Sequence, residues 1–171
     1  VHLLQSCARS AVELYLCSLL ERDVVQQMPP WRGDSSAMHR LMMLVSPDGV
    51  STISRLASSV GANCKLLGPE DHKKGIGLRE VSWNHTTLHM RAQDSAWTYL
   101  QMLLPQPEIK FMETLKRNWG EDLLWHLEVV RQQGVQRLAA LPLVRWQSLE
   151  ALNQLIKQCQ ELGAVIFNPH K

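Results

Sequence analysis

Four short apolar runs, separated by two stretches of helical period, constrain this chain more than any other feature. The runs are 96–104 (AWTYLQMLL), 123–130 (LLWHLEVV), 135–144 (VQRLAALPLV) and 164–167 (AVIF). Each is too short and too interrupted for a buried helix, and each is bounded by turn formers, as a strand requires. Between the first two, Ile109, Met112, Leu115 and Trp119 line one helical face, and Gly120 ends it. Before the last, Leu149, Leu152, Leu155, Ile156, Cys159 and Leu162 form a second stripe, with Ser148 placed to cap it and Gly163 to close it. Gln132-Gln133-Gly134 is a hairpin-sized break. The order is β-α-β-β-α-β. It predicts an α+β fold of ferredoxin-like topology, a mainly antiparallel sheet with helices packed on one face.

The first half is less regular. Leu3, Leu4, Cys7, Ala8, Ala11, Val12, Leu14 and Tyr15 recur at helical spacing and predict an extra N-terminal helix over 3–20. A Pro- and Gly-containing connector follows at 28–34, so the chain divides into 1–34, helix and connector, and 35–171, the α+β domain. Arg32-Gly33-Asp34 matches an adhesion tripeptide and is read as chance. Residues 39–45 predict a buried strand, 50–60 a short amphipathic helix capped by Gly61, and 64–67 a short strand. The chain starts at Val1 and stops just after an apolar run, which reads as a piece of a longer polypeptide.

Composition narrows the class. With 171 residues, 45% hydrophobic and 20% charged, the chain can bury a full core. A net charge of +2, with no Lys/Arg block, argues against a nucleic-acid partner. No apolar run approaches the roughly 18 residues of a spanning helix, and no signal peptide is visible. The four cysteines form no C-x-x-C pair, so no zinc or redox motif is signalled; they read as reduced thiols of a cytoplasmic protein. Six Trp against two Tyr and two Phe place several indoles at a rim or an interface.

Chemistry concentrates at a few positions. The stretch 78–88 (LREVSWNHTTL) sets Trp83, Asn84 and His85 beside two threonines, either as a hydrogen-bonded corner or as part of a site. His85 is a general-base candidate or a structural histidine bonded to nearby backbone. His126 and Glu128, at i and i+2 on a strand, point to one face. They read as an acid/base pair, as two metal ligands, or as a solvent-facing polar pair. Arg145 leaves a strand beside Trp146 and suits a carboxylate or phosphate, whereas Arg137 reads as a surface arginine. His170 follows Asn168-Pro169 at a strand exit. No P-loop, G-x-G-x-x-G, G-x-S-x-G or H-E-x-x-H motif is present.

Three blocks in this order resemble one family: 78–88 (LREVSWNHTTL), 126–145 (HLE…G…RLAALPLVR) and 166–170 (IFNPH). They are similar to the C-terminal half of FAD-linked oxidases with the vanillyl-alcohol oxidase type of FAD domain, in the D-lactate dehydrogenase and glycolate oxidase subunit branch, cyanobacterial members above all. The resemblance covers roughly 35–171. It implies a cap domain over a flavin held mostly by an FAD-binding domain of the same polypeptide. It implies hydride transfer to FAD from a small-molecule substrate such as a 2-hydroxy acid, and no activity from this piece alone. By the same likeness Trp83, Asn84, Glu128 and Arg145 would meet the substrate, Asn168 and His170 would approach the ring, and His85 or His126 would take the proton. The His-rich metal motif of some relatives is missing, so no metal is implied. The competing expectation is a non-catalytic α+β interaction module, in which exposed tryptophans and the N-terminal helix support a homodimer.

Overall fold

The computed structural model describes residues 1–36, 38–72 and 77–167. It opens with α1, His2–Arg9, and turns at once into a strand, β1, Leu14–Leu20. This corrects the single helix predicted over 3–20. Ser10 is the reason for the break: its hydroxyl donates to the Cys7 carbonyl at 2.6 Å and accepts from the Val12 N–H at 3.4 Å. A serine that competes for backbone partners in this way stops a helix. The apolar run after it (LYLCSLL) is then free to enter a sheet.

The elements that follow are α2 (Arg22–Val25), β2 (Arg40–Val45), α3 (Val50–Ser59), α4 (Pro69–His72) and α5 (Asn84–Arg91), with a 3-10 turn at Leu78–Val81 before α5. Gly61, at φ 69°, follows α3 as expected of a C-terminal cap. The strand expected at 64–67 does not form; these residues meet no sheet edge, and Leu66 is exposed.

The second half supplies β3 (Trp97–Tyr99), β4 (Gln101–Leu103), α6 (Glu108–Trp119), β5 (Leu123–Leu124), β6 (His126–Gln132), β7 (Val135–Ala140), β8 (Leu143–Arg145), α7 (Leu149–Glu161) and β9 (Val165–Phe167). Gln133 and Gly134, at φ 51° and 78°, form the tight hairpin between β6 and β7. Ser148 caps α7 by accepting the Ala151 N–H at 3.1 Å.

Three of the expected strands each divide in two. Run 96–104 breaks at Leu100, whose N–H goes to the Pro142 carbonyl at 3.2 Å. Run 135–144 breaks before Pro142, which has no N–H for a ladder. Run 123–130 breaks at Trp125, whose backbone N–H goes to Glu21 Oε2 at 2.7 Å. Each broken run thereby serves two sheets. One has six strands in the order β2-β1-β6-β7-β4-β9, and the other three in the order β3-β8-β5. Every pairing is antiparallel.

Within the larger sheet, β4-α6-β6-β7-α7-β9 with spatial order β6-β7-β4-β9 is the ferredoxin-like arrangement. β1 and β2 extend it beyond β6, so residues 14–20 belong to the same sheet as 126–132. On one face, Leu127, Leu138, Ala140 and Met102 pack with Phe111 and Leu115 of α6 and Leu152, Leu155 and Cys159 of α7. On the other, Leu16, Leu20 and Met42 meet Val24 and Val25 of α2, Val81, Met90, and Leu124 and Leu143 of the small sheet. The segment 78–91 thus covers part of the face opposite α6 and α7.

Candidate functional site

The covered face hides three polar side chains. Strand register sets Ser18 of β1 opposite Glu128 of β6, and Leu20 opposite His126. Period-two alternation then turns Ser18, His126 and Glu128 to the same side. Their exposures are 0%, 0% and 1%. The solvent-facing reading of the His126–Glu128 pair is therefore corrected: 78–91 and the small sheet close over a strand that looked half wet.

Glu128 Oε1 is the hub. It accepts from the Ser18 hydroxyl at 2.7 Å, from His126 Nε2 at 2.7 Å and from the Trp83 backbone N–H at 3.1 Å. Ser18 Oγ also lies 3.2 Å from His126 Nε2. The Ser18 hydroxyl donates to the carboxylate and not to the imidazole, so the trio is not a nucleophilic-serine arrangement. Among the described residues, neither His126 Nδ1 nor Glu128 Oε2 has a hydrogen-bond partner. Buried polar atoms are rarely left so, and each such case calls for a reason.

For the stretch 78–88 the alternatives are a hydrogen-bonded corner and part of a site. It is a hydrogen-bonded corner: Thr86 Oγ1 donates to the Val81 carbonyl at 2.8 Å, and Ser82 Oγ to the Arg79 carbonyl at 3.2 Å. It also reaches the trio through the Trp83 N–H. Trp83 sits at φ 51°, ψ −141°, a conformation that side-chain-bearing residues rarely adopt. Its indole is half exposed, so the backbone, not the ring, makes the contact with Glu128.

The other candidates lie elsewhere. His85 is half exposed, with Nδ1 3.1 Å from Glu80 Oε2. Arg145 donates to Asp94 Oδ2 at 2.7 Å, approaches Asp122 Oδ1 at 3.4 Å, and stacks 4.5 Å over the Trp97 ring. Asp94 is held below its ordinary carboxyl value by the Ala96 N–H and then by Arg145. Asn84 begins α5. Asn168 and His170 lie outside the described residues. Ser18 is the member that sequence reasoning missed; its signal was the one serine inside the apolar run 14–20.

The surroundings limit what can bind. Among the described residues, no group of three or more His, Cys, Asp or Glu is placed to hold a metal ion. A cavity of about 380 Å³ opens between α6 and α7, but its lining includes none of the trio. The described residues build no seat for a flavin ring: the trio is closed, and the roomy cavity is remote in composition, being lined by amides, Asp122 and Trp119. Among the described residues, no helix is long and apolar enough to cross a membrane. No family model and no curated protein matches the chain.

Proposed function

We propose that this chain is the cap, or substrate-binding part, of an FAD-dependent oxidoreductase acting on a small hydroxy acid or similar hydroxyl-bearing molecule. FAD would be held by a separate FAD-binding domain, and the chain alone would be inactive. The observation that carries this reading is the Trp83 N–H bond to Glu128 Oε1, which joins two of the three sequence blocks behind the resemblance at one buried point. The third block, with Asn168 and His170, lies outside the described residues.

The chain's own contribution would be a proton acceptor: with Nε2–H donating a hydrogen bond to Glu128, a neutral His126 would offer Nδ1 to a substrate hydroxyl. His126 suits that role better than His85, whose half-exposed ring is paired with a surface carboxylate. Four unpaired thiols, three of them buried, accord with a reducing, cytoplasmic setting.

The test is spectroscopic. The full-length polypeptide containing this chain should be yellow, and glycolate or D-lactate should bleach its flavin absorbance. His126→Gln should abolish bleaching, while His85→Gln should leave it. A colourless full-length protein with an intact fold, or bleaching that survives His126→Gln, overturns the reading.

A further inference from the structure

The cavity of about 380 Å³ between α6 and α7 is lined by Asn118, Trp119, Asp122, Gln147, Gln154 and Gln158. Its volume lies within the roughly 300–1,000 Å³ of small-molecule sites. Four of the six are primary amides, brought together from the end of α6, the loop before α7 and one side of α7 at i, i+4 spacing.

Two of these amides are oriented by their partners. Trp119 Nε1–H donates to Gln158 Oε1 at 2.8 Å, and Gln147 Nε2–H donates to Asp122 Oδ2 at 2.8 Å. An indole N–H only donates and an ionised carboxylate only accepts. Gln158 therefore keeps its NH₂ group for a ligand, and Gln147 keeps its carbonyl oxygen. Asn118 and Gln154 each bring both a donor and an acceptor.

The wall offers little to an ion. None of the six lining residues is Lys or Arg, so an anion finds no charged partner there. Asp122 is the one carboxylate, and both its oxygens face protein donors: Oδ2 the Gln147 amide, and Oδ1 the Arg145 guanidinium at 3.4 Å. A single half-exposed carboxylate with both oxygens engaged is no seat for a metal ion or an ammonium. Beside the amides stands Trp146, half exposed, directly before Gln147 in the loop. It shares with Trp119 and Gln147 the wall of a smaller hollow, which adjoins the main cavity through those two residues.

Neutral amides beside an exposed indole match a neutral ligand with hydroxyls on its edge and C–H groups on its face. A sugar hydroxyl both donates and accepts, as an amide side chain does, and the C–H face of a pyranose can lie on an aromatic ring. We infer that this cavity binds a neutral carbohydrate. Its hydroxyls meet the Gln158 NH₂, the Gln147 carbonyl oxygen and the Asn118 and Gln154 amides, and Trp146 is the apolar platform. The cavity shares no residue with the Ser18–His126–Glu128 trio, so the inference goes beyond the flavin reading and does not rest on it.

Binding to the 171-residue chain tests it. The isotope-labelled chain is titrated with D-glucose, D-galactose, D-mannose and N-acetyl-D-glucosamine, following the Trp119 and Trp146 indole N–H signals and the Gln158 NH₂ by NMR. At least one sugar should shift the Trp119 and Gln158 signals in a saturable curve. Gln154→Ala and Trp146→Ala, both at exposed positions outside the core, should each weaken that sugar by roughly two- to tenfold. Cytidine, inorganic phosphate and methylammonium should each bind more weakly than that sugar. No saturable shift with any sugar, any of these three probes binding as tightly as the best sugar, or either variant binding that sugar like the parent overturns the inference.

Discussion

Replacing Glu128 with alanine removes the acceptor on which the trio converges. Three donors then lose their partner: the Ser18 hydroxyl, the His126 Nε2–H and the Trp83 N–H. Hydrogen bonds to a charged group each contribute roughly 1.5–3 kcal/mol. They do not simply add, because Ser18 and His126 are 3.2 Å apart and can pair with each other once His126 changes tautomer. The Trp83 amide has no such substitute. Each buried donor left without a partner costs about 1–3 kcal/mol, so with Ser18 and His126 partly re-paired a loss of about 3 kcal/mol is expected for Glu128→Ala. Glu128→Gln keeps the shape and one acceptor oxygen, so it should lose less, about 1–2 kcal/mol. Urea unfolding at neutral pH, read as ΔG from the linear extrapolation with m unchanged, measures both. A loss under about 1 kcal/mol for Glu128→Ala would mean that water already reaches the carboxylate, and the closed site described above would be refuted.

Three other perturbations probe the surroundings. Trp83→Gly should stay within about 1 kcal/mol of the parent, because glycine accepts φ 51° without the strain that offsets its unfolded-state entropy, whereas Trp83→Val should lose about 2 kcal/mol; thermal or urea unfolding separates them. A thiol reagent at pH 8 should modify Cys64 at once and the other three cysteines only on unfolding, since burial pushes Cys17 and Cys159 up to about 12 and raises Cys7; a second fast thiol would contradict the packing. Asp94 is depressed in the folded state, so its contribution is present above the ordinary value of 3.8 and lost as pH falls through the lower folded one; the acid limb of a urea-midpoint profile should flatten in Asp94→Asn.

How far the sequence spoke depends on which partner each signal needed. Local chemistry was legible. Ser148 and Gly61 sit where the helices begin and end, and Gln133-Gly134 makes the hairpin. The i, i+2 spacing of His126 and Glu128 correctly put both on one face. What that face meets was not legible, because its cover comes from residues some 40 positions earlier, and burial is a property of the pair of elements. Ser18 was lost for a related reason. Run 14–20 has apolar residues that suit a helix or a buried strand, and only the slot between β2 and β6 decides between them. Of the three sheet-switching kinks, Pro142 alone carried a sequence signal; Leu100 and Trp125 break because distant partners, the Pro142 carbonyl and Glu21, claim their amides. Arg145 shows the same limit, since its partners Asp94 and Trp97 lie about 50 residues away in sequence.

The trio also bears on why a sheet would keep charge at its centre. Replacing a buried ionic cluster by apolar side chains of similar volume is often neutral or stabilising by about 1–4 kcal/mol, because desolvation outweighs the attraction. Ser18, His126 and Glu128 sit beside Leu16, Leu20 and Met42, which already pack that face without polar groups. The combined variant Ser18→Ala, His126→Leu, Glu128→Leu should therefore match or exceed the parent in urea, although Glu128→Ala alone falls well below it. The Trp83 amide is the one donor that the combined variant strands, which caps the gain at about 1–3 kcal/mol below the fully satisfied case. If the triple replacement instead loses as much as the single one, the cluster is a structural keystone and its geometry needs no ligand to explain it. If stability holds in the triple variant, folding does not account for the polar groups buried at Ser18, His126 and Glu128.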